Sequence, residues 1–74
     1  MLTVELIPVL NDNYAYLLTT DNGTTAIVDP GEAGPVIEQL EAGPGHLDYI
    51  LNTHCHGDHI GGNAELKHRY NAAL

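Results

Sequence analysis

Polar and apolar residues take turns from Thr3 to Ile7, the pattern of a strand with one buried face, and Pro8, which has no N–H to give to a ladder, is expected to stop it. Two β-rich runs, Tyr14 to Thr20 and Thr24 to Val28, flank Asp21-Asn22-Gly23. Asn22-Gly23 is expected to supply the pair of positive φ angles of a tight hairpin turn. The period then changes. "DPGEAGP", residues 29–35, breaks the sheet; Pro35 suits the first turn of a helix on which Val36, Ile37 and Leu40 share one face, and Gly43 ends it. Leu47 to Asn52 reads as a short buried strand. From Asn63, a fair N-cap, "AELKHRYNAAL" has helical propensity, with Leu66 and Tyr70 four apart on one face and no C-cap signal after them.

The predicted order is therefore β-β-β-α-β-α, an α/β (α+β) arrangement read as one continuous unit over residues 1–74. Helices near 35–42 and 64–73 can cover one face of the sheet only. On the other face Leu17, Ile27 and Ile50, or their alternating neighbours, are expected to lie open as an apolar patch. A chain of 74 residues buries only about 60% of its unfolded surface, so such a one-sided core is marginal.

Charge narrows the partners. Ten acidic side chains against two basic ones give a net charge of −8, which repels nucleic-acid backbones and anionic membrane surfaces. No stretch approaches the ~20 apolar residues of a membrane span, and "MLTVELIPVL" lacks a basic n-region. The expectation is a cytoplasmic protein that binds neither nucleic acid nor membrane. The single cysteine, Cys55, excludes an internal disulfide and agrees with a reducing compartment.

The chemistry concentrates in "NTHCHGDHIGG", Asn52 to Gly62, which holds three of the chain's five histidines. In extended chain, residues two apart point the same way, so His54 and His56 can present imidazoles to one metal ion while Cys55 points elsewhere. Past Gly57 the chain is freer to turn, and Asp58 with His59 can offer an oxygen and a nitrogen to a second ion. Loop histidines commonly do no more than bond backbone or water. With five His and five Asp in 74 residues, however, chance produces the full H-x-H-x-D-H string on the order of once in a thousand such chains. Imidazole and carboxylate donors suit zinc, iron or manganese, and an open coordination position gives hydrolytic chemistry. Gly61 and Gly62 allow close backbone approach. His46, in a Gly/Pro loop, and His68, on a Lys/Arg-flanked helix face, are expected at the solvated surface.

Two motifs carry a family resemblance. "THCHGDHIGG" resembles the T-H-x-H-x-D-H-x-G-G metal motif of the metallo-β-lactamase superfamily, and "AIVDPG" resembles the strand-end aspartate motif that precedes it. Within that superfamily "IPVLNDNYAYLL", through Asp12, Asn13 and Tyr14, is similar to the start of the glyoxalase II (hydroxyacylglutathione hydrolase) family, although Cys55 and Gly57 stand where a histidine and an aromatic are common. The resemblance implies the N-terminal, incomplete part of an αββα sandwich, in which a second sheet covers the open face. It implies two divalent metal ions, zinc or alternatively iron or manganese, with His54 and His56 on the first and Asp58 and His59 on the second. No residue beyond these ligands is implied to be catalytic. Asp29 would be an outer acceptor that steadies the ligand loop, or else a cap for the turn that follows it. The implied reaction is hydrolysis of S-2-hydroxyacylglutathione thiolesters. A sulfur dioxygenase, a lactonase, a lactamase and an inactive metal-binding fragment are the alternatives.

Overall fold

The computed structural model describes residues 2–9, 13–53 and 62–73. The elements run β1 (Leu2–Val9), β2 (Asn13–Thr20), β3 (Thr25–Val28), α1 (Ala33–Ala42), β4 (Tyr49–Leu51) and α2 (Asn63–Tyr70). The order expected from the sequence pattern is the observed one. The four strands form one sheet in the order β1-β2-β3-β4, antiparallel across β1–β2–β3 and parallel between β3 and β4.

Several boundaries differ from the sequence reading. Pro8 does not stop β1, which continues to Val9 with Pro8 opposite Tyr14. β1 is an edge strand, and an edge tolerates a residue that cannot donate. The β2–β3 turn has no pair of positive φ angles: Gly23 alone is left-handed, at φ 88°. Gly23 N–H donates to Thr20 O at 3.0 Å and Thr20 N–H to Thr24 O at 3.0 Å, so a three-residue loop, with its glycine at the left-handed position, replaces the two-residue turn. Gly62, not Asn63, is the N-cap of α2, and the helix stops at Tyr70 with Asn71 left-handed at φ 55°. The chain then returns to the sheet. Ala73 bridges Tyr49 in parallel, Ile50 N–H donating to Ala73 O at 2.8 Å and Ala73 N–H to Asp48 O at 2.9 Å. Backbone pairing with β4 thus competes with helical propensity over residues 71–73 and wins.

Alternation sorts the sheet into two faces. Ile7, Val9, Ala15, Leu17, Ile27 and Ile50 turn inward and form one cluster with Val36 and Leu40 of α1 and Leu66 of α2. The helices are joined by Tyr70 Oη donating to Glu41 at 2.8 Å, and α1 is tied to β1 by Gln39 donating to Glu5 at 2.8 Å. The alternating neighbours form the open face. Leu6, Tyr16, Val28 and Leu51 lie in register across all four strands, beside a second row of Val4, Leu18, Ala26 and Tyr49. Leu6, at 58% exposure, and Leu51, at 48%, are the ends of the first row.

His46 staples the end of the sheet that holds the β2–β3 turn. Its Nε2 lies 2.8 Å from Gly23 O and its Nδ1 3.2 Å from Pro44 O. Only the imidazolium donates from both nitrogens at once. These two carbonyls, helped by Asp48 at 3.4 Å, raise its pKa above the ordinary 6.5. A raised folded-state pKa makes the staple's contribution complete below the unfolded value and lost as pH rises through the folded one. An NMR titration of His46 is therefore expected to give a midpoint above 6.5, and amide exchange at Gly23 and Thr25 is expected to accelerate across that midpoint. His46→Gln should remove the pH dependence.

Candidate metal-ligand loop

Parallel pairing of β3 with β4 places Val28 beside Leu51, so both strands deliver their next residues to the same edge of the sheet. Ligand sites of α/β sheets form outside such carboxyl ends. β3 delivers Asp29; β4 delivers Asn52 and Thr53, the residue ahead of His54.

Asp29 is 6% exposed and left-handed, at φ 54°. Asp tolerates this conformation better than most residues, and a carboxylate this deep needs donors. Thr53 supplies two: its backbone N–H donates to Oδ1 at 2.8 Å and its hydroxyl to Oδ2 at 2.7 Å. Asp29 N–H in turn donates to Leu51 O at 2.9 Å, and Gly31 N–H to Asp29 O at 2.9 Å. The backbone of Asp29 thus takes part in the turn, while its carboxylate grips the residue that leads into the histidine cluster.

The same turn grips the far side of that cluster. Gly62 N–H donates to Pro30 O at 2.7 Å. A Cβ at Gly62 would stand 2.6 Å from Pro30 O and 3.0 Å from Ala33 N, both backbone atoms with little room to give. The φ of Gly62, −92°, suits any residue, so glycine is required here for space and not for conformation. Asp29 and Pro30 therefore hold residues 53 and 62, one on each side of segment 54–61.

His54, His56, Asp58 and His59 fall within that segment and lie outside the described residues, as do Cys55, Asp12 and Gly61. Among the described residues no group of three or more His, Cys, Asp or Glu side chains could hold an ion. Two atoms flanking the segment bear on whether it suits a metal. Asn52 Oδ1 and Asn63 Oδ1 are buried and find no hydrogen-bond partner among the described residues, each at a cost of about 1–3 kcal/mol. A histidine that ligates a metal through one nitrogen carries an N–H on the other that must be accepted. Donor chemistry within the segment and spare acceptors beside it fit a metal centre. Of the described cations, Lys67 donates to Ala72 O at 3.4 Å and Arg69 lies 5.7 Å over the Tyr70 ring. His68 is exposed.

The sequence pattern alone left Asp29 between two roles and did not find its partner Thr53 or the contact of Gly62 with the β3–α1 turn. Thr53 carried a signal, a hydroxyl residue immediately ahead of the first histidine. For Gly62 the pattern suggested close approach without saying to what.

The family model for the metallo-beta-lactamase superfamily matches residues 9–74. A hydroxyacylglutathione hydrolase from Methylococcus capsulatus is 59% identical over 68 residues, which is 90% of this chain and 27% of that protein. One from Dechloromonas aromatica is 53% identical over 75 residues, 100% of this chain and 28% of that protein. The chain thus spans under a third of the length of these curated relatives. The crystal structure of the BLEG-1 B3 metallo-beta-lactamase superposes with a TM-score of 0.85 at 30% identity, covering 95% of this chain and 34% of that one.

Two glycine substitutions separate packing from conformation. Gly62→Ala is expected to cost about 1–3 kcal/mol through overpacking. Gly34→Ala, in the first turn of α1 with nothing beyond its chain neighbours within 4 Å of the added Cβ, is expected to change stability little, because the gain in helical propensity is opposed by the restriction that Pro35 places on a preceding Cβ. Urea dependence of the far-UV circular dichroism reads both, and only the Gly62→Ala midpoint should fall substantially.

Proposed function

Since this chain belongs to the metallo-beta-lactamase superfamily, we propose that residues 1–74 are the N-terminal part of a metal-dependent hydrolase that cleaves S-2-hydroxyacylglutathione thiolesters. Identity of 59% and 53% to proteins named hydroxyacylglutathione hydrolase supports this reading. It carries more weight than 30% to a β-lactamase structure, which is why the lactamase reading ranks below it. Family membership implies a dinuclear metal centre. The finer assignment is zinc, with iron or manganese as the other ions this donor set accepts.

In this assignment His54 and His56 hold one ion, and Asp58 and His59 the other. Such a centre supplies an acidified water and polarisation of the thiolester carbonyl. Asp29 acts through Thr53: two hydrogen bonds fix the residue ahead of His54, and the stiffness of the β3–β4 edge is passed to the ligand segment. Gly62, seated on Pro30, gives the segment its second fixed end. Preorganisation of this kind matters because a reacting water and a carbonyl must be held within about 3–3.5 Å of one another. No other residue of the chain is assigned a catalytic role. The assignment includes a small-molecule thiolester as partner, no nucleic acid or membrane partner, and a cytoplasmic location; no helix among the described residues is long and apolar enough to cross a membrane.

A chimera tests the proposal. Residues 1–74 replace the matching N-terminal segment of the Methylococcus capsulatus relative, and S-2-hydroxyacylglutathione turnover is measured. The chimera should be active with zinc, and His54→Ala or Asp58→Ala in it should abolish turnover, while the 74-residue chain alone, with two ligands per ion where catalytic zinc takes three, shows none. A folded, metal-loaded chimera that turns over a lactone or β-lactam but no glutathione thiolester would contradict the substrate assignment.

A further inference from the structure

The β2–β3 turn carries chemistry that no role assigned so far uses. Asn22 is the one asparagine of six that is followed by glycine; Asn11, Asn13, Asn52, Asn63 and Asn71 each precede a residue with a Cβ. Asn22 and Gly23 are both exposed. Nothing beyond its chain neighbours lies within 4 Å of a Cβ built on Gly23, so the backbone there is open to close approach. The Asn22 side chain, by contrast, is held. Its Oδ1 accepts from the hydroxyl of Thr20 and, at 3.3 Å, from the N–H of Thr24, which also donates to Thr20 Oγ1 at 3.2 Å. Two donors therefore converge on a side-chain carbonyl oxygen next to a glycine nitrogen.

Donors at a carbonyl oxygen stabilise the negative charge that the oxygen gains when a nucleophile adds to its carbon. We propose that Asn22 is a self-modification site: the turn promotes addition of Gly23 N to Asn22 Cγ, which converts Asn22 to isoaspartate and aspartate. Hydroxide takes the Gly23 amide proton as the N–Cγ bond forms. The Cγ–Nδ2 bond then breaks, and the departing nitrogen takes a proton from water and leaves as ammonia, which regenerates hydroxide. Water opens the resulting five-membered imide at either carbonyl, so the net change is the exchange of ammonia for water. For the attack, Gly23 N–H must release Thr20 O, to which it donates at 3.0 Å. This bond lies in the exposed turn, and its loss disturbs no core residue. Isoaspartate adds a carbon to the backbone of the loop whose Gly23 O lies 2.8 Å from His46 Nε2, so the modification also loosens the His46 staple.

Incubation of the chain at mildly alkaline pH, followed by peptide mass mapping and isoaspartyl methyltransferase labelling, tests the proposal. Asn22 should convert, mainly to isoaspartate, while the other five asparagines stay intact over the same time. Thr20→Val, which removes the hydroxyl donor, should slow the conversion several-fold; Thr20→Ser, which keeps it, should react at the parent's rate. A peptide of residues 17–27 separates the turn from its local sequence, because a two-stranded hairpin alone is at best marginally stable in water. In that peptide Thr20→Val should have no effect. Asn22 no more reactive than the other five asparagines would overturn the inference. So would a Thr20→Val chain that converts as fast as the parent or faster, or an equal slowing by valine in the peptide.

Discussion

A buried carboxylate at the end of a short strand organises this chain. Asp29 leaves β3 in a left-handed conformation, lies almost wholly out of solvent, and is compensated by the amide and hydroxyl of Thr53. A charge in that position is tolerable only with such donors, and the donors come from the parallel neighbour β4. The β3–β4 register, the reversal into α1 and the exit direction of the chain toward residues 54–61 are therefore one linked arrangement. The close seat of Gly62 on Pro30 extends it to the start of α2.

The rest of the fold supports this edge from one side. Ile27 and Ile50, the inward residues of β3 and β4, pack in the same cluster as Val36, Leu40 and Leu66, so both helices bear on the strands that carry Asp29 and Thr53. The opposite face presents two cross-strand rows of apolar and tyrosine side chains from β1 to β4. A sheet of this composition has the apolar surface for a second layer, as expected of an αββα sandwich. The boundaries at Pro8 and at residues 71–73 belong to the same logic, because strand pairing, not local propensity, sets them.

Alternation and helical periodicity are enough to place the four strands and two helices of the described residues, since each element has a buried face and period 2 or 3.6 reports it directly. What could not be read was whatever depends on a partner distant in sequence. Pro8 is compatible with a strand only because β1 is an edge, and Ala73 leaves the helix because β4 offers it a backbone partner. The candidate ligands His54, His56, Asp58 and His59 were legible from residue type and spacing, whereas the grip on their segment was not. It joins Asp29 to Thr53 across 24 residues and Pro30 to Gly62, and nothing in either local sequence announces its partner.

The central claim is that the β3–α1 turn itself holds residues 53 and 62, one on each side of the candidate ligand segment. Amide hydrogen exchange in the metal-free chain, followed at Thr53 and Gly62 and compared with Asp29 and Ile50, tests it most directly. Both amides are donors to buried acceptors of the turn, so they should be protected to a degree similar to the sheet amides and gain little when zinc is added. Exchange of Thr53 and Gly62 at the rate of an unstructured peptide, with protection only in the presence of metal, would contradict the account and make the ion, not the turn, the organiser of the site.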